Sequence, residues 1–138
     1  NNTPLTEKES VDMVLTFRNL HNWLKAEILM DVFHKSYAAL KPGGIFGVVE
    51  HRALANSSLE NMKKSGYVTE ELAIEYAKKA GFILVAKSEI NANPKDGTIH
   101  PKGVWTLPPS LRLGEEEKAK YIAIGESDRM TLKFMKPN

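Results

Sequence analysis

The sequence predicts an α/β fold, with helices alternating with the strands of an open sheet and a closing strand antiparallel to the others. Three observations predict it. The run VDMVLTF (Val11–Phe17) is apolar with little alternation, the pattern of a parallel strand covered on both faces. An apolar stripe at three- and four-residue spacings (Ile28, Leu29, Val32, Phe33, Tyr37, Leu40) leads through KPGG into a second apolar run, IFGVVE. A helix signal that stops at Gly81 is followed at once by a third, FILVAKSEI.

Each element has a local reason. Residues 1–10 are polar and hold Pro4, a loop composition. RNLHNW, residues 18–23, reads as a polar connector anchored by Leu20 and Trp23. The stripe that follows predicts a helix over about 24–40; Pro42 cannot continue it, and Gly43 and Gly44 supply the turn. A short helix fits 58–64. Thr69 is a good N-cap, with Glu70 and Glu71 where the helix dipole favours acids. Residues 91–114 carry Pro94, Pro101, Pro108 and Pro109, too long a stretch for a hairpin. Trp105 and Leu107 give it something to bury, so it reads as an ordered lid inserted between the last two sheet strands of a single partial domain spanning 1–138. Residues 121–124 and 131–136 carry antiparallel strand signals around the turn GESDRM.

Composition excludes several classes. The chain has 138 residues, no Cys and a net charge of +2. There is no disulfide, thiolate metal site or Cys nucleophile. Basic residues are scattered among acids, which argues against nucleic acid. No apolar run approaches the roughly 18 residues of a membrane span. This favours a soluble, cytoplasmic protein while leaving export open. Four His without clustered acids at ligand spacing predict no metal site.

VDMVLTFRNLHNW, YAALKPGGIFGVVE and YVTEELAIEYAKKAGFILV, in that order, resemble the fourth strand, the helix-to-fifth-strand junction and the final helix of class I S-adenosylmethionine-dependent methyltransferases. NANPKD, GVWTLPP and GESDRM further resemble a bacterial group of predicted methyltransferases. The resemblance implies the C-terminal half of a Rossmann-like sheet (strands four, five, six and an antiparallel seventh). It implies methyl transfer from S-adenosylmethionine to an unknown acceptor, small molecule or otherwise. The GxGxG loop of that family is not among these residues, so the chain alone is expected to be inactive and to bind the cofactor poorly. Without strand one, Val11–Phe17 becomes an apolar edge, expected to be completed by the missing N-terminal half or by a second copy.

Ligands of open α/β sheets bind beyond the carboxyl ends of the strands. That rule places Phe17, Arg18 and Asn19 on the cofactor side of the cleft, and Glu50, His51 and Arg52 at the end of the next strand. His21 and His51 are the candidate bases, with Glu50 to orient one of them or to accept from substrate. Arg52, Tyr67, His100 and Trp105 are the candidate substrate contacts. An alternative reading is a non-catalytic half-Rossmann assembly module, expected to dimerise. A third is another doubly wound enzyme, against which the antiparallel closing strand stands.

Overall fold

The structure, a computed structural model, describes residues 2–138. Four strands, β1 (Val11–Phe17), β2 (Leu40–His51), β3 (Ile83–Ser88) and β4 (Arg129–Met135), form one mixed sheet in the order β1-β2-β4-β3. β1 and β2 run parallel; β4 runs antiparallel to both β2 and β3. The α/β fold class and the antiparallel closing strand are as the sequence predicts.

Five helices join them: α1 (Leu20–Lys25), α2 (Leu29–Ala39), α3 (Leu59–Ser65), α4 (Glu70–Ala80) and α5 (Lys118–Ile124). Thr69 caps α4 by accepting from the Leu72 amide at 3.1 Å, and Ser58 caps α3 in the same way from Asn61. Gly66 and Gly81 end these two helices in the left-handed conformation that glycine adopts without strain. At Gly81 a Cβ would also collide with the Tyr37 ring at 2.8 Å.

The core lies on one face of the sheet. Alternate residues of β2 and β4 (Phe46, Val48, Leu132, Phe134) pack against Phe33 of α2, the Ala73 and Ala77 face of α4, and Phe82. Four phenylalanine rings meet there, Phe33 edge-on to Phe46 at 5.1 Å and Phe82 stacked on it at 5.0 Å. Each buried ring contributes about 1.5–3 kcal/mol. Lys136, buried at the chain's end, donates its Nζ hydrogens to the Tyr37 and Leu40 carbonyls and closes the C-terminus of α2.

Three expectations are corrected. Val11–Phe17 is not covered on both faces: Met13, Leu15 and Phe17 are each more than half exposed. They form an apolar surface with Ile45 and Val49 of β2. The helix expected over 24–40 is two helices, because Glu27 takes φ 61 and the chain turns there, the Ile28 amide donating to the Trp23 carbonyl. Residues 121–124 belong to α5 rather than to a strand; a short apolar run fits either period, and Tyr121 is buried from the helix.

One side chain fastens the C-terminal end of β2 to three other elements. Arg52 uses all five guanidinium N–H groups: Nε and Nη2 on Asp128, Nη1 and Nη2 on Glu89, and Nη1 on Glu70, at 2.8–3.1 Å. Its pKa is pushed above the ordinary arginine value, first by the hydrogen bond to Asp128 and then by that to Glu89. A lysine cannot reproduce the two forks. We expect Arg52→Lys to lower stability by about 1–2 kcal/mol through Asp128 and Glu70, after allowing for solvent at the cluster's rim. Urea unfolding followed by circular dichroism measures it, and an unchanged midpoint would show that the cluster contributes nothing net.

Candidate functional site

The carboxyl ends of β1 and β2 and the segment just before β4 converge on a cavity of about 340 Å³. Phe17, Arg18 and Asn19 enter it from β1, His21 from α1, His51 from β2, and Ser127 and Arg129 from the start of β4. The roof is the insertion: Val104, Trp105, Pro108, Pro109 and Ser110. The insertion is seated by a short 3₁₀ turn, Gly103–Thr106. Gly103 lies so close to the backbone of α3 that a Cβ there would stand 2.4 Å from the Ser65 carbonyl oxygen.

Beneath the cavity lies Glu50, with no solvent exposure. It falls on the core face of β2, so its carboxylate must find its donors within the protein. It finds three: the His21 amide at 2.7 Å, the His51 amide at 2.8 Å, and His21 Nδ1 at 2.9 Å. Nδ1 of His21 therefore carries its proton toward Glu50, and Nε2 is left with a lone pair and no partner among the described residues.

His51 has the opposite arrangement. Ser127 Oγ accepts from Arg129 Nε at 3.2 Å, so the serine hydroxyl is free to donate to His51 Nδ1. With that hydrogen directed at Nδ1, His51 takes the Nε2–H tautomer. Burial, followed by the repulsion a charged His51 would meet from a protonated His21 and from Arg129 and Arg18, holds the His51 pKa down to about 3. His51 is thus a neutral imidazole with a donor to offer, 5.3 Å ring to ring from His21, whose Nε2 is an acceptor.

A second buried network supports the roof. Tyr67 donates to Asp96 at 2.8 Å, and Asp96 also accepts from the Thr98 and Asp128 amides and pairs with His100 Nε2 at 2.7 Å. Burial pushes the Tyr67 phenol well above its usual range, and its bond to Asp96 adds to this. Burial alone would raise the Asp96 carboxyl, but these hydrogen bonds outweigh it and hold it below the usual range.

Of the residues singled out from the sequence, Phe17, Arg18, Asn19, His21, His51 and Trp105 meet at this cavity, with Glu50 directly under it. Arg52, Tyr67 and His100 are not among its lining residues: Arg52 is spent on three carboxylates, Tyr67 and His100 on Asp96. Tyr67 instead stands edge-on behind His51 at 6.1 Å. Ser127 and Ser110 are not singled out by the sequence, and Arg129, which GESDRM suggests is a turn ion-pair residue, does pair with Glu126 but also lines the cavity. The available signal for Ser127 and Arg129 was the antiparallel last strand: pairing it with β2 sets Arg129 opposite His51 and brings GESDRM to the strand end.

His21, Glu50 and His51 have ligand-type atoms within 4.8 Å of one another. The carboxylate is already committed to three N–H donors and two guanidiniums line the same cavity, a poor setting for a divalent cation.

No family model matches the chain, and no curated protein sequence matches it. Solved structures do. The [4+2]-cyclase SpnF aligns over 98% of this chain and 54% of its own at 17% identity, TM-score 0.65. A S-adenosylmethionine-dependent methyltransferase from Methanosarcina mazei aligns over 98% and 63% at 10% identity, TM-score 0.61. Phosphoethanolamine N-methyltransferase 2 of Haemonchus contortus, solved with S-adenosyl-L-methionine, aligns over 96% and 34% at 22% identity, TM-score 0.53. The chain therefore has the Rossmann-like fold of these structures, two of them methyltransferases, and it spans about half the length of SpnF.

The depressed His51 pKa sets a pH dependence. Unfolded, this imidazole takes up a proton near 6.5; folded, only near 3, so between these values the unfolded state binds more protons. The contribution is complete above pH 6.5 and is lost as the pH falls toward 3. We expect urea unfolding at pH 7 and pH 5 to show a loss from this group of up to about 1.4 kcal/mol per pH unit, absent in His51→Asn. Equal pH slopes in the two proteins would refute the buried neutral assignment.

Proposed function

We propose that this chain is the acceptor-side half of a class I S-adenosylmethionine-dependent methyltransferase, and that His21, oriented by Glu50, takes the proton of the methyl acceptor. The observation that carries the reading is the Glu50–His21 pair: a buried carboxylate holding Nδ1–H and leaving Nε2 free at a roofed cavity. The fold shared with methyltransferase structures supports it.

The cofactor supplies an electrophilic methyl group when bound. Phe17 and Asn19 fit one side of it: the Phe17 ring is 55% exposed at the end of β1, and the Asn19 side chain donates to Thr16 and keeps its carbonyl oxygen free. The acceptor lies under the Trp105 roof, which excludes water. His51 Nε2–H donates to it and fixes its orientation while His21 Nε2 receives its proton. The positive charge that develops on His21 is stabilised by the Glu50 carboxylate beneath it.

The apolar surface of Met13, Leu15 and Phe17 and the single-partnered edge of β1 are where, in this reading, the rest of the sheet docks. The same surface favours the rival reading of an assembly module. Isothermal titration with S-adenosylmethionine, on the protein with whatever precedes β1 in its reading frame, separates the two; a stable dimer without cofactor uptake would favour the module. In the methylating protein we expect His21→Ala to lower kcat by about 10²–10⁴-fold. Glu50→Gln should fall in the same range, with the acid limb of the pH profile displaced. Wild-type turnover by His21→Ala would remove His21 as the base.

A further inference from the structure

The cavity wall holds no aspartate or glutamate, yet two guanidiniums line it. Arg129 is anchored, Nη2 on Glu126 at 2.9 Å and Nε on Ser127, which leaves Nη1 uncommitted. Glu126 itself is not part of the wall; its side chain is 59% exposed. Arg18 has no side-chain partner among the described residues. It stands at φ 58, a left-handed conformation that an arginine does not choose, and its amide is tied to the Val49 carbonyl at 2.7 Å. Strain of this kind, of order 1–3 kcal/mol, persists where the surroundings impose it and clusters at ligand sites. Here it delivers an unpaired charge to the cavity mouth.

The field extends past the roof. On the other side of Trp105 a second cavity is lined by Lys25, Lys64, Lys102 and Arg112, again without a carboxylate. Arg112 stacks on Trp105 at 5.2 Å. Positive potential on both sides of one wall draws anions toward it. His51, neutral and presenting Nε2–H, adds a third donor that costs no charge repulsion between ligand and imidazole.

We infer that the methyl acceptor is an anionic small molecule, bearing a carboxylate or a phosphate that Arg18 and Arg129 grip while His51 donates to it. The Arg18 fork can hold either oxyanion in a bidentate manner while Arg129 adds Nη1, and a cavity of about 340 Å³ is of small-molecule size. This rests on the methyltransferase reading only for the word acceptor; the anion site itself needs no cofactor.

The test is therefore a binding measurement without turnover. Inorganic phosphate, acetate and tetramethylammonium are titrated separately into the full chain, with the His51 imidazole followed by NMR. We expect saturable binding of phosphate or acetate and none of tetramethylammonium. Arg129→Gln and Arg18→Gln should each weaken it about tenfold or more, while Lys78→Gln on α4 leaves it unchanged. Arg18 is exposed, so its variant keeps the fold even if Arg129→Gln does not. Phosphate alone binding assigns a phosphate-bearing acceptor, acetate alone a carboxylate. Absence of saturable anion binding, or equal affinity in Arg18→Gln and wild type, would overturn the inference. Displacement of the bound anion by S-adenosylhomocysteine would also overturn it, assigning the site to the cofactor's own carboxylate. Anion binding, with no cofactor uptake even by the protein that includes whatever precedes β1, keeps this site and removes the methyltransferase reading; cofactor uptake by that protein without anion binding does the reverse.

Discussion

A carboxylate with no exposure to water dictates much of this molecule's working end. Glu50 cannot be solvated, so the chain must bring donors to it. Two come from backbone amides, one of them the second residue of α1, and the third from the His21 ring. The start of α1 is thereby pinned to the end of β2, the His21 tautomer is decided, and the cavity floor is set. Packing alone would leave all three freer.

Around that floor the two imidazoles have complementary roles. His21 keeps a lone pair because Glu50 takes its other nitrogen; His51 keeps a hydrogen because Ser127 supplies one to its other nitrogen. Their environments set them apart, one over a carboxylate and one among cations and apolar walls.

Much of this was legible in the sequence where the cause is local. The cap at Thr69, the stop at Gly81 and the run of β1 are written in neighbouring residues. The strand-end rule then found His21, Glu50 and His51. The break at Glu27 was not legible, since no glycine or proline marks it and a glutamate at positive φ is not what local sequence predicts. The exposed face of β1 was misread because an unalternating run looks the same whether or not a second layer covers it. Ser127 and Arg129 reach the cavity only through the pairing of β4 with β2, a contact across some 80 residues of chain that spacing cannot reveal.

The placement of Arg52 bears on how this fold can vary. Glu89 lies just before the insertion and Asp128 just before β4, beyond α5, and both end on the same guanidinium. The two ends of the roof are thus held together by an ion cluster rather than by the roof's own length. Closing a loop between fixed ends costs only about 0.6 kcal/mol for each doubling of its length. Roofs of different size could therefore be grafted between these two acids while β4 stays between β2 and β3, provided Asp96 and Trp105, which reach Tyr67, the Asp128 amide and His21, are kept.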